Sequence, residues 1–294
     1  MGVAGIVNPS KMDDLAGFRE QVEAAAREAG HKPIRWYETT TDDPGFGQTE
    51  RALAEGAELV LACGGDGTVT ACAAAMAGTQ KALALIPAGT GNLLARNLEL
   101  PMTVTPALAV AFGRGRRTID LVRTEPGRQF AVMAGLGFDA AMIAETNEDT
   151  KAKLGWPAYI GGIVRAMRRS QVAEFSIRVD AGPVVTHRAV GVLVGNVGRL
   201  QAGLSMFPEA APDDGIIDLA VLAPTSWRDW PVILGRLLTH RLRAGGRTEL
   251  YRGRRFDIQL DQPLPLEFDG DVFGPTDTLT AEVMPEALIV CVAS

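Results

Sequence analysis

The segment from Leu59 to Thr68, reading Leu-Val-Leu-Ala-Cys-Gly-Gly-Asp-Gly-Thr, limits the folds open to this chain more than any other. An apolar run breaks into three glycines, an acid and a hydroxyl, and 69–77 follows as small residues that form helix readily. A strand that feeds a helix through such a loop leaves the first helical amides without intrahelical partners. Those amides, with the positive end of the helix dipole, make a site for an anion, phosphate above all. Glycine lets the backbone approach the ligand closely. Asp66 is the odd member, because a carboxylate aimed at phosphate is repelled unless a metal ion lies between them.

The chain around this loop alternates in the same way. Residues 2–8 read as a strand, 13–29 as a helix with Leu15, Phe18, Val22 and Ala26 on one face, and 33–37 as a strand. A helix at 48–56, a strand at 58–63, a helix at 69–77 and a strand at 82–86 follow. This order predicts a parallel sheet with helices on both faces. The last of these strands runs into Pro87-Ala-Gly-Thr-Gly-Asn92, a second glycine loop, and a helix start at 93–98. Both loops leave the carboxyl ends of parallel strands, the edge at which open α/β sheets bind ligands. Either loop alone reads equally well as a tight turn, with Asp66 or Asn92 as a helix N-cap. Two of them, one strand-helix-strand unit apart, point to a site. There is no Walker-type GxxxxGK, and Gly89-Thr90-Gly91 lacks the third glycine of a dinucleotide fingerprint.

Beyond 117 the pattern changes to short, often alternating segments at 117–123, 129–134, 174–180, 184–194, 216–222, 255–260 and 264–268. A β-rich second domain over 119–277 therefore follows an α/β domain over 1–118, and 278–294 reads as a tail returning to the first. Helical insertions are expected at 140–169, broken near Gly155, Trp156 and Pro157, and at 226–242. A net charge of -6 gives no reason to expect nucleic acid as a partner. Three cysteines without metal-ligand spacing fit the reduced thiols of a cytoplasm. Residues 1–8 lack the basic region of a signal peptide, and no apolar run approaches the ~20 residues of a spanning helix. Seven arginines crowd 236–255, with Glu249 the only acid, after a helix bearing Trp227, Trp230, Leu234, Leu237 and Leu238. That stretch is either a face docked on anionic lipid or a solvated basic loop beside a core-packed helix.

Cys63-Gly-Gly-Asp-Gly-Thr68 followed by Ile86-Pro-Ala-Gly-Thr-Gly-Asn92 resembles the catalytic region of the diacylglycerol kinase and sphingosine kinase family, its soluble bacterial lipid kinases in particular. Asn8-Pro9, Thr39 to Gly45, Ile119-Asp120, Asp213-Asp214-Gly215-Ile216 and Phe268-Asp269-Gly270-Asp271 fall in the order of the family's motifs. The resemblance implies an α/β nucleotide domain of the NAD kinase and phosphofructokinase type, followed by a β-sandwich-like lipid domain. It implies ATP as donor, Mg2+ as cofactor and a lipid hydroxyl as acceptor, by default diacylglycerol giving phosphatidic acid. Asn8, Thr39 or Thr40, Gly64, Gly65, Asp66, Gly67, Thr68, Gly89, Thr90 and Asn92 would hold the nucleotide. Asp66 and Asp120 would orient magnesium and water. Asp271 takes the place of the general base, where the commonest family residue is glutamate, and Asp214 would hold a second, structural magnesium with the carbonyls of Ala211 and Ile216. Read from the residues alone, Asp269-Gly270 and Pro212-Asp213-Asp214-Gly215 are turn signals. An NAD kinase and a non-catalytic nucleotide or lipid sensor are the competing readings. The partners expected are the lipid, an anionic membrane met through 227–255 and a second copy of the chain, with the protein cytoplasmic and peripheral at the inner membrane face.

Overall fold

The computed structural model of the chain describes residues 2–125, 127–137, 171–199, 205–224, 229, 233, 235, 245, 248–269 and 271–293, the side chains of Asp271 and Val272 excepted. The first half is built from β1 (Val3–Val7), α1 (Leu15–Glu28), β2 (Arg35–Glu38), α2 (Phe46–Ala54), β3 (Leu59–Gly64), α3 (Asp66–Met76) and β4 (Ala82–Pro87). The strands are parallel, in the order β4, β3, β1, β2. Every residue of β3 is buried. Successive side chains of a strand point to opposite faces. Leu59, Leu61 and Cys63 accordingly pack with Phe18, Val22 and Ala26 of α1, while Val60 and Ala62 pack with Val69, Cys72 and Met76 of α3. An unbroken apolar run is what a strand covered on both faces requires.

Two short helices complete this half, α4 (Leu93–Asn97) and α5 (Val104–Phe112). The sequence pattern did not mark α5, which buries Ala107, Leu108 and Ala111. Its Pro106 sits in the first turn, where a missing amide N–H breaks no helical bond. The helix α3 also starts earlier than 69, at Asp66 itself, so the loop before it shrinks to Gly65.

The second half contributes β5 (Arg116–Glu125), β6 (Gln129–Phe130), β7 (Met133–Gly137), β8 (Ala173–Val179), β9 (Val184–Ala189), β10 (Gly191–Gly195), β11 (Ile217–Leu222), β12 (Thr248–Gly253), β13 (Arg255–Phe268) and β14 (Asp271–Cys291). The stretches 129–134 and 184–194 each split into two strands. Those at 255–260 and 264–268 join as β13, with an irregularity between Gln259 and Leu264. The insertions expected at 140–169 and 226–242 lie outside the described residues, isolated positions apart.

One strand joins the halves. β14 begins as the antiparallel partner of β13 and ends with Ile289 and Val290 running parallel to Ala82 and Leu83 of β4. Along the way it pairs with β5 and slips in register between Met284 and Leu288. All fourteen strands thus belong to one sheet. A second core of Phe130, Phe175, Phe256, Leu136, Val192 and their neighbours fills the β-rich half. The three cysteines are free and buried. Burial pushes the Cys72 thiol up to about 12, so a reactive thiolate is disfavoured there.

Candidate active site

Four loops meet at the carboxyl edge of the parallel sheet. Asn8 follows β1, Thr39 and Thr40 follow β2, Gly64 closes β3, and 88–92 follow β4. Cross-links hold them in register: Asn8 N–H donates to Cys63 O at 3.0 Å, Thr39 N–H to Val7 O at 2.9 Å, and Ala88 N–H to Gly64 O at 2.9 Å. The Asn8 side chain is turned to its own chain, accepting from the Ser10 amide and hydroxyl. Thr40 closes a turn with Asp43, whose carboxylate in turn receives the Gly45 and Gly47 amides at the start of α2.

The two glycine loops touch backbone to backbone. A Cβ on Gly89 would lie 2.6 Å from Gly65 Cα, and one on Gly64 would lie 2.6 Å from Thr68 Oγ1. No larger residue fits at 89 without displacing main chain, or at 64 without displacing the Thr68 side chain. Asn92 closes the second loop, accepting from Gly89 N–H at 3.1 Å and donating to Gly89 O at 2.6 Å, in a left-handed conformation at φ +47°.

Asp66 proves to be a cap, on the helix of the other loop. Its Oδ2 accepts from Asn92 N–H at 2.8 Å and its Oδ1 from Leu93 N–H at 2.6 Å, so α3 and α4 are joined start to start. Carboxylate on a helix N-terminus is favourable twice, through the hydrogen bonds and through the dipole. No side chain caps α3 itself, whose N-cap position is Gly65. The anion-facing end of the β3–α3 unit is therefore left open, while that of α4 is closed by Asp66. Arg96 adds a positive charge beside the second loop, Nε donating to Gly91 O at 2.8 Å.

Asp120 is buried at the point where β14 slips past β5. Its Oδ1 accepts from Glu286 N–H at 2.8 Å and its Oδ2 from Gly215 N–H at 2.7 Å, while its own N–H donates to Pro212 O. These contacts tie it to the tail and to the 212–215 turn. In that turn Asp213 forms a two-point ion pair with Arg117 at 2.8 Å for each contact. Asp214 accepts from Ile216 N–H at 3.0 Å and pairs with Arg252 at 2.8 Å. Arg252 also reaches Asp218 at 3.1 Å, whose carboxyl is pushed up to about 6 chiefly by burial, against the pull of that arginine. A guanidinium thus stands where the resemblance puts a structural magnesium beside Asp214, Ala211 and Ile216. Among the described residues no three or more His, Cys, Asp or Glu side chains gather as a metal cluster.

The residue that pattern reading passed over is Asp269. It occupies a left-handed conformation, φ +47°, in the two-residue turn between β13 and β14. It is only 4% exposed. Its Oδ2 accepts from Thr70 Oγ1 at 2.7 Å and Ala131 N–H at 3.3 Å, and its Oδ1 from Val132 N–H at 3.1 Å and Met133 N–H at 2.8 Å. Burial pushes its carboxyl up to about 6, with the Thr70 hydroxyl and the amides pulling the other way and Asp66 adding repulsion. Asp271, two positions on, is the first residue of β14, its backbone paired with Phe268. The basic stretch is also partly accounted for: Arg252 and Arg255 are spent on ion pairs within the fold. Arg236, Arg241, Arg243, Arg247, Trp227 and Trp230 lie outside the described residues.

Known proteins agree with this arrangement. The model of the diacylglycerol kinase catalytic domain matches residues 4–124. The model of the YegS C-terminal NAD kinase beta sandwich-like domain matches 131–292. A Xanthomonas oryzae pv. oryzae protein named "Probable lipid kinase YegS-like" is 31% identical over 278 residues, which cover 89% of this chain and 87% of that protein. One of the same name from Pseudomonas aeruginosa is 35% identical over 218 residues, covering 73% and 70%. A crystal structure of a diacylglycerol kinase from Bacillus anthracis str. Sterne shares the fold with a TM-score of 0.79 at 22% identity, over 99% of this chain and 97% of that one. An NAD kinase from Archaeoglobus fulgidus in complex with ATP shares it more distantly, TM-score 0.56 at 13% identity over 99% and 93%. An α/β unit with paired glycine loops on its carboxyl edge, continued by one strand into a β-sandwich, defines the class as the fold common to diacylglycerol kinases and NAD kinases. Within it, this chain belongs to the YegS-like lipid kinase family.

Proposed function

We propose that the chain transfers the γ-phosphoryl group of ATP to a lipid hydroxyl, diacylglycerol first among the candidates, with Mg2+ as cofactor. The observation that carries this reading is the pair of glycine loops locked together by Asp66 and left open at the start of α3. Phosphoryl transfer asks a protein for positioning and charge neutralisation more than for covalent chemistry. Gly64, Gly65, Gly67, Thr68 and the amides that begin α3 would cradle phosphate, with Gly89, Thr90 and Asn92 across from them. Asn8, Thr39 and Thr40, at the ends of the neighbouring strands, would receive the rest of the nucleotide.

The donor set suits magnesium held mainly by phosphate and water. Asp66 is the carboxylate on the loops, and both its oxygens already take amide hydrogens, so it would act as a single or water-mediated ligand, which is magnesium's habit beside nucleotides. Bound there, the ion would neutralise charge on the transferring group. Asp120 would act at longer range by holding the tail and the 212–215 turn in place. Asp271 would take the proton from the lipid hydroxyl as its oxygen bonds to phosphorus and ADP departs. No helix among the described residues is long and apolar enough to cross a membrane. We place the acceptor in the bilayer and the enzyme on its surface, with 227–255 as the docking region.

The test is a panel of diacylglycerol, sphingosine, phosphatidylglycerol, a polyprenol and NAD with γ-labelled ATP. Label in a lipid, lost in Asp271→Asn while ATP still binds, is the expected result. Label in NAD alone would replace this reading with NAD kinase, and ATP binding without transfer to any acceptor would replace it with a sensor.

A further inference from the structure

We propose that Phe46 is the face on which the base of the nucleotide stacks, a binding role that deepens the kinase reading above and rests on it. Among the described residues three large apolar side chains are exposed, Phe46, Val172 and Val184, and Phe46 is the one aromatic ring, 44% exposed. A lone exposed apolar side chain needs no explanation by itself. Its mount does. Phe46 is the first residue of α2, directly after the loop that carries Thr39 and Thr40 on the carboxyl edge. The backbone is held before and after it. Asp43 receives the amides of Gly45 and Gly47, and Thr49 Oγ1 donates to Gly45 O at 2.7 Å. The buried Gln48 side-chain amide donates to Glu38 O and to Asp43 O, both at 3.2 Å, and so draws the two ends of the loop together. A ring on such a mount is preorganised, and a ligand that meets it does not have to order its backbone.

The charges nearby decide the occupant. Four helices follow strands of the parallel sheet, and three of them have a carboxylate on their first amides. Asp14 accepts from Gly17 N–H at 3.0 Å on α1, Asp43 from Gly45 and Gly47 on α2, and Asp66 from Asn92 and Leu93 on α4. Phosphate at any of these would meet a like charge already in its place. The fourth helix, α3, has no side-chain cap. The phosphates therefore belong at α3, and what lies over the start of α2 is the uncharged end of the ligand. Gly45 brings the two helices together, since a Cβ there would stand 3.4 Å from Cys72 Sγ and 3.6 Å from Thr68 O, both on α3. Phe46 is thus one residue from the wall of α3, within reach of a base whose phosphates lie at Gly65. Every base has a π-face, so stacking on an aromatic ring is tolerant of which base it is. Phe46 therefore favours nucleotide over bare polyphosphate without choosing between adenine and guanine.

Titration calorimetry of the full chain with ATP and with inorganic tripolyphosphate, each in the presence of Mg2+, tests this. Phe46→Ala should weaken ATP binding about tenfold or more, the size of one base–aromatic stack, and GTP binding by the same factor. Its affinity for tripolyphosphate should stay within about twofold of the wild type, because the phosphate end is untouched. Phe46→Trp should keep the ATP affinity, and its added indole emission should be quenched by ATP and not by tripolyphosphate. ATP affinity unchanged in Phe46→Ala would overturn the proposal. So would an equal loss for tripolyphosphate, which would show that the substitution disturbs α3 and not a stack. Binding needs no turnover, so the two readings fail separately: a wild type that binds ATP and labels no lipid defeats the kinase reading, while Phe46→Ala still decides the stack.

Discussion

The turn at 212–215 and the turn at 268–271 both set aspartates at the seam between the two halves, and they treat the charge in opposite ways. Asp213 and Asp214 face arginines at half-exposed positions, Arg117 and Arg252. Asp269 has no described arginine or lysine against its carboxylate, only a hydroxyl and three amides, and hardly any solvent. The first pair is screened by water and contributes little. The second depends wholly on donors supplied by elements distant in sequence, and its loss strands those donors. Solvent access, more than charge itself, decides which turn the seam relies on.

The largest effect expected from this contrast is that of Asp269→Ala. Three buried amides and the Thr70 hydroxyl lose their acceptor, at a cost of about 3–5 kcal/mol to stability, read as a lower midpoint in urea unfolding. A loss under about 1 kcal/mol would mean that water replaces the carboxylate freely, and the contrast between the turns would collapse.

Titration sharpens the same point. Burial pushes Asp269 up to about 6 from an ordinary 3.8. Below about pH 4 folded and unfolded chains both hold the proton; between about 4 and 6 only the folded chain does. Asp269 therefore contributes stability at low pH that is lost as pH rises through about 6, some two pH units at 1.36 kcal/mol each, or about 3 kcal/mol. Asp269→Asn does not titrate, so stability measured against it should fall by about that amount from pH 4 to 6.5. Asp218, also pushed up to about 6, is present in both proteins and cancels. A difference that stays flat across this window would show the four donors fully offsetting burial.

Gly89→Ala comes next. Its Cβ would lie 2.6 Å from Gly65 Cα and 3.1 Å from Asn92 Oδ1. Main chain must yield, for about 1–3 kcal/mol of stability. Nucleotide binding, followed by calorimetry with ATP, should weaken far more than the fold does. Normal ATP affinity would mean the close contact of the two loops is dispensable.

These cases show what was legible in the sequence. The α/β half was readable because β3 is a closed apolar run and α1 repeats its apolar residues on one face. The glycine loops were readable because there is no room for a side chain at 64, against Thr68, or at 89, against the Gly65 backbone. Asp66 was readable as a functional acid, but not as the cap of α4, since its partners Asn92 and Leu93 come from the next loop. Asp269 looked like a turn residue, which it also is; nothing local shows that Thr70 waits 199 positions away. The helix α5 was missed because a proline suggests a break wherever it stands, and only its place in the first turn makes it harmless. β12 was missed because it lies in an arginine-rich stretch that suggested a solvated loop, although its Arg252 is aimed at Asp214 and Asp218.

The smallest effect expected belongs to Arg117→Ala. The Arg117 guanidinium holds the Asp213 carboxyl below its ordinary range through a two-point hydrogen bond, with burial opposing. A lowered carboxyl contributes stability above its unfolded pKa and loses it as pH falls through the lower, folded value, the reverse of Asp269. With side-chain exposures of 39% and 36%, the pair is screened, and its removal should cost less than about 1 kcal/mol at pH 7, shrinking further in high salt. The site gives a sharp alternative, because the carbonyl of neighbouring Pro212 receives the amide of Asp120, which in turn holds Glu286 at the register slip of β14. If Arg117→Ala instead cost as much as Asp269→Ala and resisted salt, the exposed ion pair would be fastening that buried junction. The two turns would then be alike in consequence, and solvent access would no longer separate them.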